Sequence, residues 1–258
     1  MNRILFMGRK SYGAEVLKWC VKSGWEVVAV VTDNHKETSP TANAARDLGL
    51  DLLDYDSCLQ KIDSNELVFD LAVSYVYWRI LKKPIIQTPK LGIINFHPAP
   101  LPDLRGTGGF NLAILENHNE FGVTAHYMDE GIDTGPIIEV DRFAINAATE
   151  TAQSLEKKSH KRMIELFKKT LNRVKEEGIL SSKKMVGGRH LSRKEMEELK
   201  KINPGDDVDA KIRAFWFPPY DGAYIEIDGN NYTLINRHIL EQVDGDNEAL
   251  FRHTQKGS

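Results

Sequence analysis

The sequence GIINFHP, from Gly92 to Pro98, predicts a buried strand that ends in two polar side chains. A short apolar run rich in isoleucine is typical of a parallel sheet covered on both faces. Positions two apart on a strand share a face, so we expect Asn95 and His97 to be neighbours. Because proline cannot extend a central strand, Pro98 places this pair at its carboxyl end. Open α/β sheets bind their ligands at that edge.

The residues around this strand alternate between strand and helix patterns. We predict strands at 4–7, 27–31, 67–74, 92–96, 121–128 and 137–143, and helices at 14–22, 41–48 and 151–177. This alternation predicts an α/β fold with a mostly parallel sheet and helices on both faces. A further helix at 207–215 precedes a β-hairpin signal at Asp228-Gly229. We therefore predict a main domain over residues 1–183 and a small C-terminal helix-plus-β-hairpin subdomain over 184–258.

Composition and charge exclude several classes of protein. The 258 residues carry a net charge of −3, without the basic excess of a nucleic-acid binder. We expect basic residues clustered near 183–201 to lie on solvated helix faces. No apolar run approaches bilayer length and no signal peptide is evident, so we predict a cytoplasmic protein with no membrane partner. Cys20, in a helical pattern, and Cys58, beside a turn, lack metal-ligand spacing, which predicts reduced thiols and no metal.

Asp133, within the segment DEGIDTG from Asp129 to Gly135, adds a carboxylate to Asn95 and His97. These residue types could move a formyl group between two nitrogens. An asparagine amide can donate to the developing oxyanion, and histidine can carry the proton from the attacking to the leaving nitrogen. Asp133 could fix the imidazole tautomer, stabilise its cation or relay a proton through water. Alternatively, His97 is a structural hydrogen-bonding residue and Asp133 only caps its turn.

Three spaced motifs, Asn-x-His-Pro at 95–98, Leu-Pro-x-x-Arg-Gly at 101–106 and Asp-x-Gly-x-x-x-Gly at 129–135, resemble the formyltetrahydrofolate-dependent formyltransferases. The resemblance covers residues 1 to 180 and implies a Rossmann-like formyltransferase fold. It also implies that Asn95, His97 and Asp133 are the catalytic set and that the protein is a homodimer. The implied co-substrate is 10-formyltetrahydrofolate, bound at Tyr77, Arg79, Leu81, Asp129 and Ile132. The absence of GxGxxG after the first strand disfavours a dinucleotide.

Two cationic loops indicate a phosphorylated acceptor. Arg9 and Lys10 follow the first strand, just before a predicted helix, where cations and free backbone N–H groups favour phosphate. Arg105 lies in a flexible glycine-rich loop beside His97, where a ligand can approach the backbone closely. The predicted substrate-binding residues are Arg9, Lys10, Tyr12, Arg105, Gly108, Trp216, Tyr220 and Tyr224.

The run RAFWFPPYDGAY, from Arg213 to Tyr224, resembles sugar N-formyltransferases that act on nucleotide-linked amino sugars. Its aromatic side chains could stack on a pyrimidine or pack two domains together. The resemblance implies formyl transfer to a dTDP-linked amino-dideoxy sugar, with dTDP-4-amino-4,6-dideoxyglucose the best match, in O-antigen or other cell-surface polysaccharide synthesis. Alternatives are a dTDP-3-amino sugar, methionyl-tRNA, and a non-catalytic nucleotide-sugar binding protein. The acidic charge and short C-terminal region oppose tRNA, and the intact Asn-His-Asp set opposes a non-catalytic role.

Overall fold

A seven-stranded sheet forms the centre of the molecule. The computed structural model describes residues 3–33 and 37–246. In chain order, the described strands are β1 (Arg3–Gly8), β2 (Glu26–Val31), β3 (Leu52–Leu53), β4 (Leu71–Tyr75), β5 (Ile93–His97), β6 (Leu104–Gly106), β7 (Glu120–Tyr127), β8 (Ile137–Ala144), β9 (Arg189–Leu191), β10 (Tyr224–Ile227) and β11 (Asn230–Thr233). The central sheet has the order β3-β2-β1-β4-β5-β7-β8. Strands β1 to β5 are mutually parallel; β7 is antiparallel to both of its neighbours, β5 and β8, so β8 again runs in the direction of β5. This confirms the predicted mostly parallel sheet.

Helices cover both faces of this sheet. In the described residues they are α1 (Lys10–Lys22), α2 (Pro40–Asp47), α3 (Tyr55–Asp63), α4 (Lys83–Gln87), α5 (Gly109–Leu115), α6 (Ala152–Glu177), α7 (Arg193–Glu198), α8 (Val208–Phe215) and α9 (Arg237–Asp246). Helices α1, α2 and α6 share one core cluster with β1, β4 and β5, whereas α3 and α4 pack on the opposite face. None of the helices described is long and apolar enough to cross a bilayer.

Strand β5, which contains GIINF, is where the sheet changes direction. It is parallel to β4 on one side and antiparallel to β7 on the other. The β5–β7 register pairs Asn95 with His126 and His97 with Thr124. Directly opposed residues of an antiparallel pair project to the same face. The fold therefore places a histidine of β7 beside the asparagine of β5.

Most predicted boundaries agree with the structure to within one residue, but the starts of two elements and the setting of one cysteine differ more. Helix α1 begins at Lys10 rather than at residue 14, because Tyr12 packs its ring on His160, far along the chain. Strand β4 begins at Leu71 rather than at the predicted residue 67. An apolar run indicates which residues are buried, but it does not indicate where hydrogen bonding to the neighbouring strands begins. Cys58, expected beside a turn, is buried in α3, and both cysteines are free thiols.

The segment after residue 183 packs against the main sheet and its connections. Helix α8 contacts α5, and Phe215 and Ala223 share a buried cluster with Ile114. Strand β9 pairs with β6, and Leu191 joins the core cluster of Leu104. The predicted hairpin is present as β10 and β11. The division between residues 183 and 184 stays a prediction, and residues 247–258 of the predicted subdomain lie outside the described part of the chain.

Candidate active site

The Asn95 side chain lies at the carboxyl end of β5, and its amide nitrogen contacts a residue of β7. Its Nδ2 lies 3.0 Å from Nε2 of His126 and 3.5 Å from Oδ1 of Asp133. Nδ1 of His126 lies 2.8 Å from the carbonyl oxygen of Tyr127. Because a carbonyl only accepts, Nδ1 carries the ring hydrogen, and Nε2 accepts from Asn95. One amide hydrogen of Asn95 is therefore fixed, and the other makes only a long contact that a ligand oxygen can replace.

His97 is buried and its tautomer is fixed by a backbone carbonyl. Its Nε2 lies 3.0 Å from the carbonyl oxygen of Leu104, so Nε2 donates a hydrogen. Burial lowers the pKa of His97; Asp133 opposes this shift and His126 adds to it. The ring is thus neutral at pH 7, with its lone pair on Nδ1, 3.5 Å from Oδ2 of Asp133. The carbonyl of Leu104, rather than Asp133, fixes the tautomer.

Asp133 is ionised and accepts a hydrogen bond from the backbone of β6. Burial acts to raise its pKa, but His97, His126 and the Gly106 N–H together outweigh burial and hold the pKa well below its usual range. The Gly106 N–H donates to Oδ2 over 3.0 Å. The backbone of Asp133 has a φ of 49°, an uncommon conformation for a residue other than glycine, of the kind that clusters at functional sites. The carboxylate is therefore available to stabilise a cation on His97.

The loop that carries Asp133 makes close contacts at both of its ends. The Asp129 carboxylate accepts from the Gly131 N–H over 3.0 Å and from the Thr134 hydroxyl over 2.5 Å. Gly135 passes so close to β7 that an added Cβ would lie 1.9 Å from the carbonyl oxygen of Tyr127. The spacing of Asp129, Gly131 and Gly135 in the sequence motif is thus explained by the local backbone.

A cavity of about 520 Å³ opens beside these side chains. The five residues predicted for the co-substrate all line it: Tyr77, Arg79, Leu81, Asp129 and Ile132. Trp78 also lines it, although 49% of this residue is exposed. Arg79 lies 5.0 Å from the ring of Tyr55 and 5.1 Å from that of Trp78, so stacking holds the side chain at the cavity. Asn95, His97 and Asp133 form part of the same wall.

A second cavity of about 370 Å³ adjoins the first, and Arg9, Thr107, Gly108 and Phe110 line both. Further basic and aromatic side chains line only the second cavity: Lys10, Arg193, Lys200, Phe215, Phe217 and Tyr220. Four of the predicted substrate-binding residues therefore line it, namely Arg9, Lys10, Gly108 and Tyr220.

The other four predicted substrate-binding residues lie outside both linings. Tyr12 stacks on His160 at 3.9 Å and donates to Glu156. Arg105 lies in β6, which is paired with β9, so the expected free loop is an ordered strand. Trp216 caps the end of α8, and Tyr224 begins β10. Contact of these four residues with substrate stays a prediction.

Sequence reasoning missed Arg193, Met196 and Lys200, which line the second cavity. The charged stretch around α7 was expected to be solvated, yet Lys200 is only 9% exposed. The local sequence does not distinguish Lys200 from the solvated lysines of this stretch, because its burial depends on packing against segments that are distant in the chain. Within residues 3–33 and 37–246, no group of His, Cys, Asp and Glu side chains forms a candidate metal site.

The fold and these side chains define the class of the molecule: an α/β enzyme that transfers a small acyl group. Residues 2–171 match the formyl transferase family. The chain therefore belongs to the formyl transferase family and is an N-formyltransferase.

Similar proteins are found both by sequence and by structure. A methionyl-tRNA formyltransferase from Parvibaculum lavamentivorans is 29% identical over 90% of this chain and 78% of its own length. An N-formyltransferase from Helicobacter canadensis, solved with folinic acid and dTDP-3-aminofucose, superposes with a TM-score of 0.75 at 24% identity, covering 90% of this chain and 86% of its own. A 4-N formyltransferase from Francisella tularensis has a TM-score of 0.77 at 21% identity, with coverages of 90% and 96%. The structural likenesses establish the fold.

The contact between His126 and Asn95 gives a first prediction. His126→Phe keeps the ring volume but removes the acceptor, so kcat should fall about tenfold, as expected for loss of one net hydrogen bond. His126→Gln restores an acceptor and should recover part of the rate, with KM for the folate unchanged in both. Steady-state kinetics checks this. If His126→Phe kept the kcat of the unmodified protein, the hydrogen bond from Asn95 to His126 would not contribute to catalysis.

Proposed function

We propose that the protein transfers the formyl group of 10-formyltetrahydrofolate to the amine of a dTDP-linked amino-dideoxy sugar. The observation that carries this proposal is the second cavity, because it adjoins the candidate catalytic side chains and is lined by basic groups. A cavity of about 370 Å³ is of a size that suits a small organic ligand. Arg9, Lys10, Arg193 and Lys200 suit a diphosphate, and the aromatic residues of the same cavity suit a pyrimidine.

The first cavity supports a folate co-substrate. Its lining includes the loop residues 76–81 and the apolar residues Met128 and Ile132. A flat heterocycle with donors and acceptors on one edge suits such a lining. When bound, the folate supplies the formyl carbon as an electrophile next to Asn95. The structure from Helicobacter canadensis was solved with both folinic acid and a dTDP-linked sugar, which supports the pairing of these two ligand classes.

The catalytic roles that we propose follow from the hydrogen bonds. Asn95 uses its free amide hydrogen to stabilise the oxyanion that forms on the formyl oxygen. His97 accepts a proton from the attacking amine at Nδ1, since Nε2 already donates to Leu104. Asp133, 3.5 Å from Nδ1, stabilises the imidazolium until the proton passes to the leaving nitrogen. The three side chains thus divide the work between charge stabilisation and proton transfer.

The cation Arg9 is the strongest single feature of the proposed acceptor site. Its Nε is buried and has no hydrogen-bond partner within the described residues. A buried polar atom without a partner is unfavourable, so an anionic ligand would satisfy it. Lys10 lies beside it, with Nζ 3.4 Å from Glu156 and 5.5 Å from the ring centre of Phe217. Within this class we propose dTDP-4-amino-4,6-dideoxyglucose, on the resemblance of residues 213–224.

Methionyl-tRNA is a second candidate acceptor, favoured by the names of the sequence relatives at 29% identity. The net charge of −3 counts against it, because tRNA binding depends on contacts with phosphates. A dTDP-3-amino sugar remains the nearest alternative within the sugar class. A homodimer, a cytoplasmic location and a route to O-antigen stay predictions.

An acceptor panel tests the proposal. Purified protein is mixed with 10-formyltetrahydrofolate and, separately, with the 4-amino and 3-amino dTDP-dideoxy sugars and with methionyl-tRNA. Tetrahydrofolate release and product mass are recorded. We expect kcat/KM to be highest for the 4-amino sugar. Transfer to tRNA alone would refute the sugar acceptor, and preference for the 3-amino sugar would correct only the position of the amine.

Lys10 gives a prediction specific to the second cavity. Lys10→Met keeps the length of the side chain and removes its charge, so KM for the sugar nucleotide should rise about tenfold, the size of one lost charge-assisted hydrogen bond. KM for the folate should not change, because Lys10 lines only the second cavity. Lys22→Met, in the last turn of the same helix, is the matched control. Equal KM values for the two variants would place the diphosphate elsewhere.

A further inference from the structure

Strand β6 connects two of the candidate catalytic side chains to the C-terminal segment. Its Leu104 carbonyl accepts from Nε2 of His97, and its Gly106 N–H donates to Asp133, both over 3.0 Å. Strand β6 lies outside the central sheet and forms a separate two-stranded parallel sheet with β9. This short strand therefore contacts the candidate catalytic centre through Leu104 and Gly106 and also pairs with the C-terminal segment.

The backbone groups of this stretch alternate between the two sides. The Asp103 carbonyl accepts from the Arg189 N–H over 3.1 Å, and the Thr107 N–H donates to the Leu191 carbonyl over 3.0 Å. These bonds bracket Leu104 and Gly106, whose groups point to His97 and Asp133 instead. Period-two alternation is the normal geometry of a strand, so a shift of β9 would move the groups at 104 and 106 with it.

Strand β9 is itself anchored at three points. Leu191 is buried in the cluster that contains Leu104, and the Arg189 guanidinium pairs with Glu116. Gly188, with a φ of 89°, approaches so closely that an added Cβ would lie 1.8 Å from the carbonyl oxygen of Pro102. The contact between β9 and the loop 102–107 is thus tight and admits no side chain at residue 188.

We propose that β9 is a positioning strand for formyl transfer: by pairing with β6 it fixes the His97 tautomer and the Asp133 carboxylate. The C-terminal segment then acts on the rate of the chemical step as well as on the acceptor. This inference rests on the roles proposed above for His97 and Asp133. A misplacement of about 1 Å in a catalytic group can reduce the rate roughly 10²-fold, so a small movement of β9 has a large effect.

The test uses two neighbouring glycines. Gly188→Ala forces β9 away from Pro102, whereas Gly187→Ala, with a φ of 75° and nothing within 4 Å of the added Cβ, carries a similar backbone penalty without the clash. We expect kcat to fall about 10–10²-fold in Gly188→Ala relative to Gly187→Ala, with KM for the folate unchanged. Ring-nitrogen NMR of histidine-labelled protein, assigned with His97→Asn, should show the Nε2–H tautomer in Gly187→Ala and its loss in Gly188→Ala.

Equal kcat values in the two glycine variants, or an unchanged His97 signal in Gly188→Ala, would overturn the inference. The NMR measurement needs no acceptor, so it separates this failure from failure of the proposed function. If Gly188→Ala does not fold, Leu191→Ala replaces it, with Leu180→Ala as the control, because both leucines are buried in different core clusters. The same difference in kcat and in the ring signal is expected, measured below both melting temperatures.

Discussion

Asn95→Ala is expected to lower kcat about 10²–10³-fold, the loss typical of removing one oxyanion donor. The variant removes the Asn95 amide, which lines the first cavity and of which one hydrogen is fixed on His126 while the other makes only a long contact with Asp133. Binding of folate should change little, because the cavity retains its remaining lining. Steady-state kinetics with the preferred acceptor, together with folate binding by titration, checks both statements.

Two further variants sharpen this test. Asn95→Asp keeps the shape but removes both donors and brings a second carboxylate close to Asp133, so it should be at least as slow as alanine. Asn119→Ala, on an exposed turn before β7, is the control for general effects of losing an asparagine. If Asn95→Ala retained kcat within a few-fold of the control, the oxyanion would have to be stabilised by another group.

His97→Ala should lower kcat about 10²–10⁴-fold, the range contributed by general acid–base catalysis. The pH profile gives the sharper test. Because burial lowers the pKa of His97 from its ordinary 6.5, the neutral base persists below pH 6.5, and kcat should be lost only as pH falls further. The Asp133 carboxylate raises the pKa of His97, so Asp133→Asn should move the acid limb of the profile to still lower pH, in addition to slowing the reaction.

The half-buried His118, which pairs with Glu116 and lines neither cavity, supplies the control variant His118→Ala, which should leave both kcat and the pH profile unchanged. An acid limb at the same pH in Asp133→Asn and in the unmodified protein would show that His97 is not the titrating base. Retention of kcat in His97→Ala would assign proton transfer to another group or to water.

The sequence predicts the centre of this molecule well because the signals there are local. The isoleucine run of β5 and the proline after it are sufficient to place Asn95 and His97 at the carboxyl end of a central strand, where both line the first cavity. Other features depend on distant contacts. Helix α1 extends to Lys10 because Tyr12 stacks on a ring almost 150 residues away in the chain. Strands β6 and β9 have three residues each, too few to produce a periodic pattern. The local sequence around Lys200 predicts a solvated side chain, whereas in the structure Lys200 is buried and lines the second cavity.

The two cavities share a wall, formed by Arg9, Thr107, Gly108 and Phe110. The two ligands that we propose would therefore contact the same four residues and lie next to each other. A bisubstrate inhibitor, in which a short linker joins a pterin-like ring to a pyrophosphate-bearing group, would make its second contact intramolecularly. Such a linkage raises the effective concentration of the second group to the millimolar range and strengthens binding about 10²–10⁴-fold beyond either half. Because the two cavities share these residues, we expect ligands that join the two halves to bind this enzyme more tightly than either half alone.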